Sequence, residues 1–193
     1  MSRVVIQGDA SGTGNFTIAA PNSNTDRTLT LPDEAGTIAT TAFVTNRLVQ
    51  NLNVTTGAVA TGTTLIPSDD TIPQITEGDQ YMSLAITPTS ATSILEINVV
   101  WVGRTNGTVL FGVALFRDAV ADALAASMHT SDADRTSVPS FTYRMVSGTT
   151  SEIIFRVRAG GNNPNTTTFN GFNGARTYGG VMASSITIKE YAA

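Results

Sequence analysis

The segment ILEINVVWVGRTNGTVLFGVALFR, residues 94–117, predicts a β-rich fold. Its first part, 94–103, places apolar side chains at every second position, which is the period of a strand with one buried face. Residues 105–108 contain Asn-Gly, a pair that tolerates the positive φ angles of a type I′ hairpin turn. The return segment 109–117 is almost continuously apolar. We therefore predict two long strands that are joined as a hairpin.

The same signals recur toward the end of the chain. Further strands are predicted at 82–87, 141–146, 152–159 and 179–191, and the polar turn 147–150 predicts a second hairpin. Residues 118–127 are rich in alanine and could form a helix, but their neighbours favour a short strand. Residues 160–174 are rich in Gly, Asn and Thr, which predicts a long surface loop or an edge strand. Strands without βαβ alternation predict an antiparallel β-sandwich over 65–193.

The apolar strand 109–116 carries a second implication. A strand without polar alternation is buried on both faces. In a two-layer sandwich one face meets the core, so we expect the other face to be covered by another subunit. This expectation favours an oligomer.

Residues 40–53 predict a helix that links two unlike halves of the chain. Thr40 or Thr41 can cap it, and Val44, Leu48 and Leu52 recur every four residues on one face. A helix this short is marginal by itself, so it must bury that face. We expect a parallel trimeric bundle, and packing on its own domain is the alternative. Residues 54–64 show no period and predict a linker.

Residues 1–39 predict an arm of three short strands, at 3–7, 15–19 and 27–31. Strands this short bury little apolar surface. We therefore expect the arm to pack on a partner or to interlock with other copies. The predicted organisation is arm 1–39, helix 40–53, linker 54–64 and head 65–193.

Composition excludes several classes of protein. The chain has 193 residues, no cysteine, a net charge of −4 and 13% charged residues, about half the usual quarter. Disulfides and thiolate chemistry are therefore absent, and duplex nucleic acid is not an expected partner because binding it needs clustered cations. Residues 1–9 do not read as a secretion signal, and no apolar run approaches a membrane span. We expect no membrane insertion, and release inside an assembled particle fits this pattern.

Catalytic and metal signals are weak. His129, the single histidine, lies beside acidic residues, and we predict that it is a loop residue. No nucleophile motif surrounds any serine, so a catalytic triad with this histidine is not expected. Acidic pairs occur at 69–70, 77 with 79, and 132 with 134, where solvated turns are the ordinary explanation and a metal at a trimer interface is the alternative. The Gly-rich run 8–14 lacks the lysine of a phosphate loop. We predict no enzyme activity, no cofactor and no metal site.

Aromatic and amide side chains instead suggest a binding site. Exposed rings can stack on sugars while amides bond their hydroxyl groups, although interface packing would explain the same composition. The candidate receptor-contact residues are Arg104, Asn106, Asn162, Asn163, Asn170, Phe172 and Tyr178. Asn51 could set the register of a trimeric helix bundle or could simply face solvent.

Residues 12–44, GTGNFTIAAPNSNTDRTLTLPDEAGTIATTAFV, resemble a repeat of bacteriophage tail-fibre and related virion proteins. The matching positions are 28–33, 36–37 and 40–44. The runs RVRAGGN (156–162) and ASSITIKEY (183–191) resemble the trimeric jelly-roll knobs that end such fibres, which are similar to tumour-necrosis-factor heads. The resemblance implies a homotrimer on the outside of a virion.

The expected function is therefore structural. The arm 1–39 would bind other tail or baseplate proteins, and the knob would recognise a glycan or protein on the host surface. One alternative is a head-decoration or tail-tip fibre without a receptor role. Another is a depolymerase of surface polysaccharide, which the absence of a β-helix repeat and of an acid/base cluster disfavours.

Overall fold

The computed structural model describes residues 11, 47–132 and 135–193. From Arg47 onward the described residues belong to one compact unit. The predicted arm strands, the start of the predicted helix and Val44 lie outside the described residues.

The described part is mainly β, as predicted. Its strands are β1 Leu48–Thr56, β2 Ala60–Gly62, β3 Asp79–Ile86, β4 Ile94–Val100, β5 Gly103–Thr105, β6 Val109–Arg117, β7 Ala125–Ser131, β8 Ser140–Val146, β9 Ile153–Gly161, β10 Thr167–Phe169, β11 Gly171–Phe172, β12 Ala175–Arg176 and β13 Ser184–Tyr191. One turn of 3-10 helix, Tyr178–Gly180, lies between β12 and β13.

Two four-stranded antiparallel sheets form the sandwich. The first sheet has the order β1-β13-β4-β8 and the second has the order β3-β9-β6-β7. Of the successive long strands, only β6 and β7 are neighbours in one sheet, and every other connection crosses to the opposite sheet. This strand order is that of a jelly roll. The predictions of an antiparallel β-sandwich and of a jelly-roll-like head are therefore confirmed for the described residues.

Both predicted hairpins are wrong. β4 pairs with β13 and β8, whereas β6 pairs with β9 and β7 in the other sheet. The Asn-Gly turn thus lies in a connection between sheets, where Gly107 has a φ of 78° but Asn106 is not among the residues with positive φ. The second turn likewise joins β8 of the first sheet to β9 of the second. Turn residues show where the chain reverses, but they do not specify the sheet that it joins next.

The core lies between the two sheets and follows the predicted alternation. Leu95, Ile97, Val99 and Trp101 are all fully buried. Ile186 and Ile188 of the neighbouring strand β13 point to the same side. Residues of β6 and β9 in the second sheet face them with the same period, and large buried partners there are Phe111, Leu115, Ile153 and Phe155. The face of 94–101 predicted to be apolar therefore points into the core.

The second face of β6 is covered by the chain itself, contrary to the prediction that another subunit covers it. Residues 63–78, here called the strap, run across the outside of the second sheet. Ile66 of the strap packs with Ala114 and Phe116 in a separate buried cluster, and its N–H donates to the Gly161 carbonyl at 3.1 Å. At Gly160 an added Cβ would lie 2.3 Å from the Thr64 carbonyl oxygen, so a side chain there would push the strap away.

The predicted helix over 40–53 is wrong from Leu48 onward, because that segment is strand β1. Its antiparallel pairing with β13 satisfies the backbone and lets Leu52 pack on the core, which outweighs a weak helical propensity. A register shift between Leu48 and Gln50 leaves Leu48 opposite Tyr191 and Leu52 opposite Ile188. The two leucines therefore face opposite sides of the sheet and share no helical stripe.

The predicted linker and head boundary are also corrected. β1 continues to Thr56, and β2 at Ala60–Gly62 pairs with β10. Residues 54–64 therefore belong to the sandwich, which begins at β1 and not at residue 65. The alanine-rich segment 118–127 forms a turn and the start of β7, which confirms the preferred interpretation over a helix.

Candidate functional site

The sandwich has two chemically different ends. β1 begins and β13 finishes at one end, where the Ala192 N–H donates to the Arg47 carbonyl at 2.9 Å. We call this the chain-entry end, because residues 1–46 join the sandwich there. The opposite end, the loop end, carries the connections β4–β6 and β9–β13. All seven candidate receptor-contact residues fall in these two connections, so the fold brings them to the same end.

Arg104 is a structural residue of this end. Its side chain is 2% exposed, on strand β5. The guanidinium carbon lies 4.5 Å from the centre of the Phe172 ring, which is a cation–π contact. Arg104 and Phe172 therefore join the connection β4–β6 to the connection β9–β13. The buried Arg104 side chain is therefore not exposed for the receptor contact that the sequence suggested.

Asn170 is also structural, since its exposed fraction is 0%. Its side-chain amide donates to the Thr56 and Ala58 carbonyls at 2.7 and 3.1 Å, and its side-chain oxygen accepts from the Ser184 hydroxyl at 2.7 Å. The φ of Asn170 is 52°, in the left-handed region that asparagine tolerates. The residue therefore fastens three segments together and cannot reach a receptor in this state.

The remaining asparagines differ in exposure. Asn106 and Asn162 are half-buried, and their backbone N–H groups donate to the Thr166 and Leu110 carbonyls, both at 2.9 Å. Asn163 is exposed. The segment 160–174, predicted as a long surface loop or an edge strand, contains β10 and β11, and Thr167, Thr168 and Phe169 of β10 are buried. Of the three asparagines, Asn163 is therefore the one placed to contact a partner.

Tyr178 is the prominent exposed aromatic residue of the loop end. It is 77% exposed and has a φ of 49°, a left-handed conformation that is uncommon for a bulky side chain. Val181 nearby is 85% exposed, and Arg176 is also exposed. Residues 171–183, which contain these three side chains, are here called the tip.

The tip is held closely against the rest of the sandwich. An added Cβ at Gly57 would lie 1.8 Å from the Gly180 carbonyl oxygen, and one at Gly171 would lie 2.2 Å from the Ala175 carbonyl oxygen. These approaches require glycine. The Gly174 N–H donates to the Thr168 hydroxyl at 3.0 Å. The exposed side chains of the tip therefore stand on a well-packed base.

The outer face of the first sheet is a second candidate surface, because no segment of the described chain covers it. Its residues form rows across the four strands. A polar row contains Asn53, Thr187, Asn98 and Thr142, with amide-to-hydroxyl hydrogen bonds of 2.8 and 3.0 Å. A charged row places Glu96 3.5 Å from both Lys189 and Arg144. An apolar row at the chain-entry end contains Leu48, Tyr191, Ile94 and Val146.

Glu190 is a buried carboxylate that the sequence analysis missed. Its exposed fraction is 0%, and Gln50, the Thr89 hydroxyl and the Thr89 N–H donate to it at 2.7, 2.7 and 2.8 Å. Burial raises the pKa of the Glu190 carboxyl, but hydrogen bonds from Thr89, Ser93 and Gln50 outweigh it and leave the pKa below its ordinary value. Glu190 therefore fastens β1, β13 and the loop 87–93 at the chain-entry end. Its position within an alternating strand, where Ile188 is buried, was the available signal.

A cavity of about 220 Å³ lies between the strap and strands β6 and β7. Ile66, Pro67, Leu110 and Met128 contribute apolar walls, and Asn162 also lines it. Of the candidate receptor-contact residues, Asn162 alone lines this cavity. The cavity is thus largely separate from the exposed surface of the loop end.

The residues considered for catalysis have local structural roles. His129 lies on β7 and not in a loop, with its ring 5.9 Å from that of Phe111 and Nε2 2.9 Å from the Ser127 hydroxyl. Asp69 accepts hydrogen bonds within its own loop from Thr71, and Asp79, the first residue of β3, accepts them from Thr64 of the strap. Among the described residues no group of three His, Cys, Asp or Glu side chains could hold a metal ion, and no helix is long and apolar enough to cross a membrane.

No protein-family model and no curated protein matches the chain. Solved structures with similar architecture include the CBM36-1 domain of a multidomain xylanase from the hindgut metagenome of Trinervitermes trinervoides, at 12% identity over 72% of this chain and 96% of that chain, with a TM-score of 0.37. The Eiger tumour-necrosis-factor protein of S. frugiperda matches at 8% identity over 74% of this chain and 93% of that chain, with a TM-score of 0.39.

A structure of infectious bursal disease virus, Gx strain, matches at 12% identity and a TM-score of 0.41. The match covers 76% of this chain but 37% of the viral chain. All three similarities are distant, and none identifies a family for this protein. The jelly-roll assignment rests on the order of the chain's own strands.

Proposed function

We propose that this protein is a structural component of a bacteriophage virion, a trimeric tail fibre that anchors through residues 1–39 and contacts the host surface through the loop end. The sequence resemblance over 12–44 supports the phage assignment. The jelly-roll topology supports a knob of the kind that ends such fibres. Neither observation involves a catalytic group.

The two-ended architecture is the observation that carries this proposal. Residues 1–46 join the sandwich at the chain-entry end, and the candidate contact residues lie at the opposite end. A strand of nine residues such as β1 is roughly 30 Å long, so the sandwich separates the two ends by about that distance. Entry of the chain at one end and exposed loops at the other suit a fibre that presents its knob outward.

The outer face of the first sheet is the proposed contact between copies. The strap already covers the second sheet, so the first sheet offers the open face. Its cations, Lys189 and Arg144, lie beside Glu96, which limits repulsion between identical faces. Its apolar row, with Leu48 and Val146 48% and 53% exposed, would gain from burial. In plan the face measures roughly 450 Å² from ordinary strand spacings, about half of the area that one partner gives to a standard interface.

The molecular mass in solution tests the trimer. Light scattering of the full chain should give about 61 kDa, three times the 20.2 kDa of one chain. The double variant Asn98→Arg and Thr187→Arg places two cations at the centre of the first sheet's outer face, and we expect it to be monomeric. Thr130→Arg, on an exposed position of β7, is the matched control and should stay trimeric. A monomeric wild-type chain would refute the trimer, and a trimeric double variant would refute this face as the contact.

Imaging of the intact particle tests the biological role. We expect the chain on the tail, with its loop end directed away from the particle. A location on the head would favour the decoration alternative. Release of reducing sugar from host polysaccharide by the purified full chain would favour the depolymerase alternative.

A further inference from the structure

We infer that the tip binds an anionic glycan, through the Tyr178 ring and the Arg176 guanidinium. This inference rests on the proposed function, since it names the chemical class that the loop end would recognise. It concerns residues 171–183 alone and assigns no role to the buried Arg104 and Asn170. Exposure, charge, support and size each favour this class of ligand.

Exposure is the first step. Tyr178 and Val181 are 77% and 85% exposed, and the Val181 N–H donates to the Tyr178 carbonyl at 3.2 Å. Tyr178 holds this position with a φ of 49°, which costs conformational energy for a residue of its size. Glycine or asparagine would adopt that backbone more easily. A strained and exposed tyrosine contributes nothing to the core, so its ring is available for a ligand.

Charge is the second step. Residues 153–189 contain no aspartate or glutamate, although the whole chain has 15 acidic residues and a net charge of −4. Arg176 is exposed within this acid-free segment. Its guanidinium lies near Gly180, since a Cβ added at Gly180 would be 3.6 Å from Nη1 of Arg176. No ion pair of Arg176 occurs among the described residues. The tip therefore presents a cation, on a protein that is acidic as a whole, to an anionic ligand.

Support is the third step. The Gly57 and Gly180 approach and the Asn170 hydrogen bonds fix the backbone on which Arg176 and Tyr178 stand. A fixed backbone lowers the entropy cost of binding. Tyrosine adds little to that cost because it has two side-chain torsions and a large rigid ring. The tip is thus prepared for contact before a ligand arrives.

Size is the fourth step, and it favours a glycan over a protein. A stable protein interface takes about 800 Å² from each partner, which is far more than three exposed side chains supply. One ring and one guanidinium match a single sugar unit with a phosphate or carboxylate group. Three copies on a trimer would engage a repeating polymer together and gain affinity through avidity.

Binding of the full-length chain to immobilised polysaccharides tests the inference. The probes are a glycerol-phosphate polymer, a polyuronate and neutral dextran at equal mass. We expect binding to at least one anionic polymer but not to dextran, with a loss of affinity between 0.05 and about 0.5 M NaCl as screening increases. Tyr178→Asn and Arg176→Gln should each weaken binding at least ten-fold.

The variants separate recognition from folding and from net charge. Tyr178→Asn removes the ring but suits the backbone, so the melting temperature should not fall. Arg135→Gln is the matched control, because it removes an exposed arginine from another connection of the loop end, paired with Asp132. It should bind like the wild type. Equal weakening by Arg135→Gln would show attraction by net charge and would overturn the inference.

Two further outcomes also overturn the inference. One is the absence of binding to either anionic polymer. The other is binding to host cells that protease treatment abolishes and polysaccharide removal does not, since this identifies a protein partner. Both leave the proposed function standing if the trimer and the tail location hold. A monomer located elsewhere would refute the proposed function while the polysaccharide result stayed valid for the isolated chain.

Discussion

The outer faces of the two sheets differ in what covers them. On the second sheet the face is apolar, with Ala114 and Phe116 fully buried under Ile66 of the strap. On the first sheet the face is polar and open, with an Asn/Thr row and a charged row. Both faces belong to one sandwich and share one core. The difference shows that a continuous apolar strand predicts that a face is covered, but it does not say whether the cover is the same chain or another subunit.

The consequence for assembly is direct. Burial of apolar surface at Phe116 stabilises the folded single chain, because the strap supplies the partner atoms. It therefore provides no driving force for association. Any contact between copies must use a surface that is still open, and the first sheet provides one. Variants in the two sheets therefore test this contrast.

Truncation of Phe116 should produce the largest loss of stability. Phe116→Ala removes a fully buried ring between the second sheet and the strap, and we expect a loss of about 3–5 kcal/mol. The matched variant on the open face is Asn98→Ala, which removes one hydrogen bond to Thr142 and should cost about 1 kcal/mol. Guanidinium unfolding at fixed protein concentration measures both. Similar losses in the two variants would show that the two faces are not energetically different.

Glu190 allows the two sides of the first sheet to be compared, because it lies on the side that faces the core. Glu190→Gln keeps the size of the side chain but places an amide among three donors, and we expect a loss of about 1.5–3 kcal/mol at pH 7. The structural reason is that Gln50 and Thr89 would face a group that cannot accept from all of them. Urea unfolding of wild type and variant measures the difference.

The pH dependence of that loss has a defined sign. The pKa of Glu190 is lower in the folded chain than its ordinary value. The unfolded chain therefore binds the proton first as the pH falls, and the stabilisation by Glu190 is lost through the acid range down to the folded pKa. The difference in the free energy of unfolding between wild type and Glu190→Gln should be largest at pH 7 and should decrease below about pH 4.5. A gap that stays constant down to pH 3 would show that the loss is steric and not due to charge.

Much of the fold was accessible from the sequence. The alternation in 94–101 gave the correct buried face, and the absence of helical periods after residue 54 gave a β-sandwich. The pairing of the strands could not be predicted, because the Asn-Gly turn and the turn 147–150 show where the chain reverses but not which sheet the next strand joins. β1 was misassigned because spacing by four residues fits a helix, and it also fits a strand when no bulge intervenes. Its actual bulge and its pairing with β13 depend on residues about 140 positions away.

The sequence predicted which segments form the candidate site better than it predicted which residues are exposed there. Composition placed seven side chains in two segments, and the fold brings those segments to one end. Burial then separates them: Arg104 and Asn170 serve the structure, whereas Tyr178 and Asn163 are exposed. Composition treats an exposed and a buried asparagine alike, so it could not make this distinction. Arg176 was missed because an isolated arginine in a polar segment gives no signal until the structure shows that the segment forms a packed tip.

Substitution of Glu96, on the open outer face of the first sheet, has the smallest predicted effect. Glu96 lies 3.5 Å from Lys189 and Arg144, whose side chains are 40% and 55% exposed. Such exposed pairs contribute about 0–1 kcal/mol and weaken in salt. Glu96→Gln should therefore change the stability of an isolated chain by less than about 1 kcal/mol. This loss is smaller than the one expected for Glu190→Gln on the opposite side of the sheet. If copies meet at this face, the same substitution leaves two cations without their anion inside the contact, and the loss should grow as protein concentration rises, because association then contributes more to stability. Unfolding at two concentrations a hundred-fold apart distinguishes the cases: an equal, small loss at both would mean that the face remains open to solvent.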